Sequence, residues 1–332
     1  MSSIHTNPAA LTALQSLTGI NKSLAVVQSR ISTGYRVAEA KDNAAYWSIA
    51  TTMRSDNKVL STVQDALGLG ASRVDTAYTA MNSAIEIVDE IKQKVLAAIG
   101  SSESDKLKIQ TEIEGFKSLL SSVSQAATFS GQNWLTVDSS LAAGHPVAGD
   151  HKPIEIVSSF TRSNTGAIIL GKIQIDINSI KLYDQAATTN ETRGILEGTR
   201  DGITGLRSNT ATTPAAGAAV GANDGYDVAS MSVVGRSDAQ LHQMLTVVDK
   251  TLADLADAAT IVGAAKKRVD MQKDFASNLM DSVDRGVGQL VDANMEEEST
   301  KLQALQVQQQ LGIQSLAIAN SHAQSILKLF NS

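Results

Sequence analysis

The chain has no cysteine, so disulfides, thiolate metal sites and a cysteine nucleophile are all excluded. Aromatic residues make up only 4% of its 332 residues. That scarcity disfavours one thick core and suits long helices that meet along narrow seams. Acidic residues are missing from the two ends. Residues 1–38 carry Lys22, Arg30 and Arg36 and no acid, and from Ser299 to Ser332 the only charges are Lys301 and Lys328. A helix facing water normally carries many more charges on its outer face, so both ends are expected to have more than one buried face. No run of 18 apolar residues occurs, and no membrane insertion is expected. The net charge of −6 disfavours nucleic acid as a partner. The opening Met-Ser-Ser-Ile-His-Thr-Asn-Pro has neither a basic nor an apolar signal region. Export, where it occurs, is expected without a cleaved signal peptide.

What is present is periodicity. Residues 4–31 read as an amphipathic helix in which Leu17, Ile20, Leu24, Val27 and Ile31 are spaced 3, 4, 3, 4, a heptad seam ended by Ser32-Thr33-Gly34. A second helix is expected over about 43–70, broken at Gly68-Leu69-Gly70, and a third over about 72–99 with Met81, Ile85, Val88, Ile91, Val95 and Ile99 on one stripe. Gly100-Ser101-Ser102 marks a turn, and the next helix carries Ile109, Ile113, Phe116, Leu120 and Val123. After Gly131 the period falls to two. Ile173, Ile175 and Ile177 alternate with Gln174 and Asp176, which predicts β-hairpins with a turn at Ser163-Asn164-Thr165-Gly166. Tyr226–Val234 is a further strand candidate, and the Thr/Gly/Ala-rich stretch 184–225 is expected to bury little. Helix returns at Ser237. Leu241, Leu245, Val248, Leu252, Leu255, Val262 and Val269 lie on a heptad register with Ala259 and Lys266 in the gaps, continuing with breaks to Leu290. An acidic cluster at Asp292–Glu298 precedes a last helix with Leu302, Leu305, Ile313, Leu316, Leu327 and Phe330. The terminal helices are expected to order only on assembly, because separate monomers would expose apolar strips.

Chemistry-bearing candidates are weak. Lys266-Lys267-Arg268 reads as a solvated or interface face, and Glu296-Glu297-Glu298 with Asp292 as a helix N-terminal charge cluster. Gly68-Leu69-Gly70 follows no strand and is no phosphate loop. The histidines His5, His145, His151, His242 and His322 are scattered, with His145 and His151 a lone pair. No catalytic motif and no cofactor motif occurs, so neither an enzyme nor a cofactor is expected. Asn190-Glu191-Thr192 matches a glycosylation sequon by pattern alone.

The two ends carry a resemblance. Ile31-Ser32-Thr33-Gly34-Tyr35-Arg36-Val37, then Ala40-Lys41-Asp42-Asn43-Ala44-Ala45 and Ile49-Ala50, resembles the N-terminal signature of bacterial flagellins. Gln309-Gln310-Leu311-Gly312, Leu316-Ala317-Ile318-Ala319-Asn320 and Gln324 to Phe330 are similar to the family's C-terminal ending. Asp292-Ala293-Asn294-Met295-Glu296-Glu297 and Gly263-Ala264 with Arg268 match two further segments. Tyr46-Trp47 stands where the family usually has Gly-Leu, and Lys267 where it has Asn. The former, with 291–301, points to the alphaproteobacterial branch.

The resemblance implies a mainly α fold. An inner coiled-coil domain would comprise 1–42 and 290–332, a helical-bundle domain with β-hairpin 43–183 and 226–289, and a small variable outer segment 184–225. It implies a subunit exported through the flagellar type III apparatus that polymerises under a cap into the extracellular filament for swimming motility. The partners implied are other copies of itself as a helical homopolymer, paralogous flagellins, cap and junction proteins and an export chaperone. The assembly interface would fall on Leu17, Ile20, Leu24, Val27, Ile31, Arg36, Asp42, Asn43, Leu302, Leu305, Ile313, Leu316, Asn320, Leu327 and Phe330. A hook–filament junction protein, whose termini are similar, is the alternative. Many members carry a basic motif, L-x-R-x-R-E-L, bound by toll-like receptor 5. The corresponding Ile87–Val95 here lacks both arginines, which predicts weak recognition.

Overall fold

The computed structural model describes residues 7–145, 149–163, 165, 167–186 and 189–330, without the side chains of Ala142 and 322–330. The expected helix start at 4–6, His5, and the turn residues Asn164 and Gly166 lie outside it. The chain divides into two compact units, Met1–Val59 with Asn278–Ser332, and Leu60–Ser277.

Five helices carry the architecture: α1 (Pro8–Thr33), α2 (Ala44–Ala98), α3 (Glu103–Ala126), α4 (Asp238–Val291) and α5 (Met295–Phe330). The strands are short: β1 (Thr128–Phe129), β2 (Gln132–Asn133), β3 (Thr136–Val137), β4 (Ile154–Arg162), β5 (Ile168–Ile175), β6 (Tyr183–Asp184), β7 (Arg200–Asp201) and β8 (Gly225–Tyr226). They form four two-stranded pairs, of which β4–β5 is the one long antiparallel hairpin.

In the unit Leu60–Ser277, α2 buries Leu60, Val63, Leu67, Val74, Ala77, Met81, Ala84, Val88, Ile91, Val95 and Ala98. These follow a spacing of 3 and 4, with Gly70 at the one seam position that no side chain fills; Ala80 and Ile87, next to the seam, are buried as well. The alternating partners of Met81, Val88 and Val95 are thus Ala84 and Ala98, rather than Ile85 and Ile99. α4 answers with Leu241, Met244, Val248, Thr251, Leu255, Ala258, Val262, Ala265 and Val269 buried. Leu245, Leu252, Ala259 and Lys266, expected on the register, are therefore off the seam, one residue beyond Met244, Thr251, Ala258 and Ala265. Lys266 lies at its flank. It bonds Asp75 at 2.5 Å, and Lys92 bonds Asp249 at 2.5 Å, so α2 and α4 run antiparallel. Small residues at alternate positions let the two axes approach closely. Each fully buried Leu, Ile, Val or Met contributes about 1.5–3 kcal/mol.

The helix break expected at Gly68-Leu69-Gly70 is absent, because α2 runs through it. Two mid-helix glycines cost about 1 kcal/mol each relative to alanine. At Gly70 a packing contact uses that space, since a Cβ there would lie 2.6 Å from Ile156 Cγ2 on β4. The hairpin therefore seats on α2 through the missing side chain. Gly68 has no neighbour within 4 Å of that position. The breaks expected in the later part of α4 are likewise absent.

Within the hairpin, Ile156, Ser158, Phe160, Ile173 and Ile175 face inward. A register shift between Val157 and Ser159 lies opposite Gly171, where a Cβ would collide with Ser159 Oγ. Ile168, Ile169 and Leu170 at its end are exposed.

Tyr226–Val234 is not a strand beyond Tyr226. Its apolar residues Tyr226, Val228, Met231 and Val233 are buried, at spacings of 2, 3 and 2 that do not keep a strand's alternation, and α3 side chains take its backbone groups. Lys106 Nζ donates to Arg236 O at 2.7 Å, Lys117 Nζ to Met231 O at 3.2 Å, and the Val233 N–H donates to Gln110 Oε1 at 2.8 Å. Asp227 accepts from the Ser230 N–H and hydroxyl, which turns the chain.

The stretch 184–225 also buries more than its composition suggests. Ile195, Leu196, Arg200 and Ala211 are buried, and Gly194 lies against the Leu182 carbonyl, where any Cβ would clash. The Arg200 guanidinium, with 2% of its side chain exposed, donates to Asp254 Oδ2 on α4 at 2.8 Å and ties the stretch to the helix.

Upstream, buried Lys181 donates to Asp184 Oδ2 at 2.6 Å and to Gly149 O at 2.8 Å. Asp184 also accepts from Ser139 Oγ at 2.5 Å and from the Ser139 and Ala186 N–H groups. Burial pushes this carboxyl up, but bonds from Lys181 and Ser139 outweigh it and hold Asp184 below the usual range. A group so depressed stabilises the fold above its ordinary value near pH 4, and that contribution fades as pH falls through the folded value.

Two outcomes follow. Gly70→Val should cost about 1–3 kcal/mol by overpacking against Ile156, while Gly68→Ala should raise stability by about 0.5–1 kcal/mol; urea unfolding of the two variants separates them. Asp184→Asn leaves buried Lys181 unpaired and should cost about 3–5 kcal/mol at pH 7. The deficit should shrink below pH 4 in a pH series of thermal melts.

Candidate assembly interface

In the unit Met1–Val59 with Asn278–Ser332, α1 and α5 pack side by side. α1 is opened by Asn7, whose Oδ1 accepts from the Ala10 N–H at 3.1 Å, with Pro8 at the first helical position. It closes at Gly34, left-handed at φ +74°, whose N–H donates to Arg30 O at 2.8 Å. α5 opens at Asn294, whose Oδ1 accepts from the Glu296 N–H at 3.1 Å.

The seam of α1 is Ala10, Ala13, Leu17, Ile20, Leu24, Val27 and Ile31, with Val27 buried and the others half-buried. The facing positions of α5 are Glu298, Leu302, Leu305, Gln309, Gly312, Leu316 and Ala319. Asn7 Nδ2 donates to Ala319 O at 2.9 Å, Gln309 Nε2 to Asn21 Oδ1 at 2.7 Å, and Arg30 Nη1 to Glu298 Oε1 at 3.0 Å. Facing residue numbers fall in one helix as they rise in the other, so the pair is antiparallel.

Of the expected α5 residues, Leu302, Leu305 and Leu316 are on the seam, while Ile313 and Asn320 are exposed. Gly312 takes the position assigned to Ile313. A Cβ there would sit 3.2 Å from Leu17 Cδ1, so the leucine fits over a bare backbone. Leu327 and Phe330 are in α5, but their side chains lie outside the described residues.

Arg36, Asp42 and Asn43 build the junction beside the pair. The Arg36 and Val37 N–H groups both donate to Val291 O, at 2.7 and 3.1 Å, and the Ala293 N–H to Gly34 O at 2.8 Å. The Arg36 guanidinium reaches Leu290 O at 3.2 Å, a cation on the carbonyl end of α4. Asp42 Oδ2 accepts from the Ala38 and Glu39 N–H groups at 3.1 Å each, and Asn43 Oδ1 from the Tyr46 N–H at 3.2 Å, capping α2. A small core of Val37, Ala50, Val287 and Val291 closes under this turn.

Sequence reasoning missed the ion pair. Glu298 keeps 5% of its side chain exposed and Arg30 32%. Glu296 and Glu297 are exposed in the first turn, as the charge-cluster reading expects; a hydrogen bond from Lys301 holds the Glu297 carboxyl below its usual range. The available signal was the heptad register, which runs back from Leu302 to Glu298.

The pair still leaves apolar surface open. Leu11 and Leu14 on α1, and Val307, Leu311, Ile313 and Ile318 on α5, are exposed, as are Tyr46, Trp47 and Ile49 at the start of α2.

The sequence matches the bacterial flagellin N-terminal helical region over residues 4–139 and the bacterial flagellin C-terminal helical region over 245–330. It is 47% identical to flagellin C of Rhizobium meliloti (strain 1021), over 99% of each chain. It is 44% identical to the flagellin of Brucella melitensis biotype 1, again over 99% of each. Flagellin B of Rhizobium meliloti is 40% identical, over 99% of this chain and all of its own. The chain belongs to the flagellin family.

It is a structural subunit that polymerises into the extracellular flagellar filament, and not an enzyme. The relatives are alphaproteobacterial flagellins, in agreement with the branch read from Tyr46-Trp47, and they occur as paralogues in Rhizobium. Nothing in them favours the junction protein.

His145 and His151 stack at 4.1 Å between ring centroids, but the Lys152 N–H donates to His145 Nδ1, and among the described residues no three His, Asp or Glu group to hold a metal. The Asn190 amide of the sequon donates to Ser208 O at 2.8 Å. Both lysines of the stretch aligned with the receptor motif are spent within the chain, Lys92 on Asp249 and Lys94 on Glu112 at 2.5 Å.

Replacing the α2 cap, Asn43→Ala, should lower the melting free energy by about 1 kcal/mol, and Asn43→Ser should not. Calorimetry on the two variants compares them directly.

Proposed function

We propose that the α1–α5 pair is the part of this flagellin that builds the inner wall of the filament, and that its open apolar faces are covered by neighbouring subunits. The observation carrying this is the pattern of α5. Behind its seam on α1 lies a second stripe, Val307, Leu311, Gln314 and Ile318, spaced 4, 3, 4 and with its three apolar members exposed. Each member lies two residues from a seam position, about 200° round the helix. Apolar stripes on opposite faces cannot both be satisfied by one partner helix. Contacts that are not self-complementary and do not close into a ring propagate as an open helical filament.

On this reading Leu17, Ile20, Leu24, Val27, Ile31, Leu302, Leu305 and Leu316 hold the pair, with Leu327 and Phe330 extending it. Ile313 and Asn320 turn to neighbours, and Arg36, Asp42 and Asn43 fix the junction. The bundle part with its hairpin forms the next layer, and 184–225 the outer surface. Tyr46 and Trp47 pack between subunits. Export proceeds without a cleaved signal peptide and with a chaperone covering the apolar ends, followed by polymerisation under a cap next to a junction protein. Paralogous flagellins with the same ends would co-assemble.

Deleting 315–332 should abolish polymerisation while the bundle stays folded. Circular dichroism should retain the helical signal of the bundle while electron microscopy shows no filaments; long filaments from the truncated chain would refute the reading. Cells reporting toll-like receptor 5 should respond to the monomer far less than to a flagellin carrying both arginines.

A further inference from the structure

α5 offers two stripes to α1, and they are nearly equal in apolar content. The inward one carries Leu302, Leu305, Leu316 and Ala319 and is interrupted by Gln309 and Gly312; the outward one carries Ala304, Val307, Leu311 and Ile318 and is interrupted by Thr300 and Gln314. Burial of apolar surface alone does not choose between them.

The polar residues do differ. Glu298 lies on the inward stripe and is the buried charge of the pair. Its Oε1 accepts from Arg30 at 3.0 Å and its Oε2 is buried with no hydrogen-bond partner. Lys301 Nζ is 4.0 Å from Oε1. The carboxylate therefore depends on Arg30, the last cation of an acid-free helix. Around the junction, Glu297 is taken by Lys301 at 2.7 Å and the Arg36 guanidinium by the α4 carbonyls, so neither competes for the pair. With α5 turned by 200°, Arg30 would face Thr300 and lose its carboxylate, and Asn21 would lose Gln309.

We infer that the Arg30–Glu298 ion pair selects which face of α5 packs on α1, and thereby keeps Val307, Leu311 and Ile318 outward for the next subunit. The second clause rests on the filament reading; the first does not. The backbone bonds of Gly34, Arg36 and Val37 to the 291–293 link hold the base of the pair, below the first seam position at Glu298. A buried polar pair that fixes the pairing of otherwise permissive apolar helices is the best-attested use of such groups.

The absence of cysteine makes the test clean. Leu17→Cys with Gly312→Cys reports the inward face, and Leu17→Cys with Gln314→Cys the opposite one. Both pairs are oxidised mildly in monomers and in filaments and read by gel mobility. The native background should cross-link through 17 and 312 only. Arg30→Leu with Glu298→Leu should add the 17–314 product and lower the 17–312 product at least twofold. The charge swap, Arg30→Glu with Glu298→Arg, should restore 17–312 alone. The inference is overturned if the double-leucine background still gives only 17–312, if it gives neither product, or if the swap fails to restore selectivity. Filament formation by the unsubstituted chain, seen by electron microscopy, checks the filament reading separately.

Discussion

Everything in this fold depends on keeping apolar residues at alternating steps of three and four along helices of 24 to 55 residues. That repeat puts one narrow stripe on each helix and lets antiparallel partners meet along their whole length. Because the stripes are narrow, small residues matter as much as large ones. Ala77, Ala84 and Ala98 on α2, with Ala258 and Ala265 on α4, set the closeness of one pair, and Gly312 lets Leu17 close on the other. A chain with so few aromatic residues has no other way to bury enough surface.

Where the repeat stops, polar side chains take over the work of a sheet. Lys106, Gln110 and Lys117 hold the 231–236 segment by its backbone, Lys181 and Asp184 fasten the loop at 149, and Arg200 fastens the outer stretch to α4. These groups are buried or half-buried and all paired, so they specify single positions for segments whose apolar content would leave them loose. The same logic recurs at the junction, where Arg36 and Asn43 satisfy backbone groups left open at the ends of α4 and α2, and Asp42 those of the turn between α1 and α2. The motif that identifies the family at the N-terminal end is thus, in large part, a set of caps.

The seam of α1, most of the α2 stripe, every second member of the α4 seam and the alternation at Ile173 to Ile177 were legible because burial on one face imposes a period on the sequence; the small or polar residues between them, Ala84, Ala98, Thr251, Ala258 and Ala265, were not. Gly68-Leu69-Gly70 misled because glycine carries two meanings, a break and a close approach, and only the presence of Ile156 decides between them. Gly312 rather than Ile313 stands on the seam with α1 for a related reason: a glycine can hold a seam position when the partner's leucine fills its space. Tyr226–Val234 buries four apolar residues but pairs as a strand at Tyr226 alone, since apolar content reports which side chains are inside and not what the backbone bonds to. The Arg30–Glu298 contact joins residues 268 apart, and no local pattern records such a distance.

The sequence by itself determined the helices, their inward stripes, the hairpin and, through the motifs at both ends, the family. It also determined that the termini need partners, because helices with hardly a charge cannot present most of their surface to water. The tertiary structure decided the rest: that α2 and α4 run unbroken, that Thr/Gly/Ala-rich chain is packed rather than loose, and which of two similar faces of α5 is turned inward. Those outcomes depend on contacts between residues far apart in the chain, where a missing Cβ or one buried charge pair outweighs local preference.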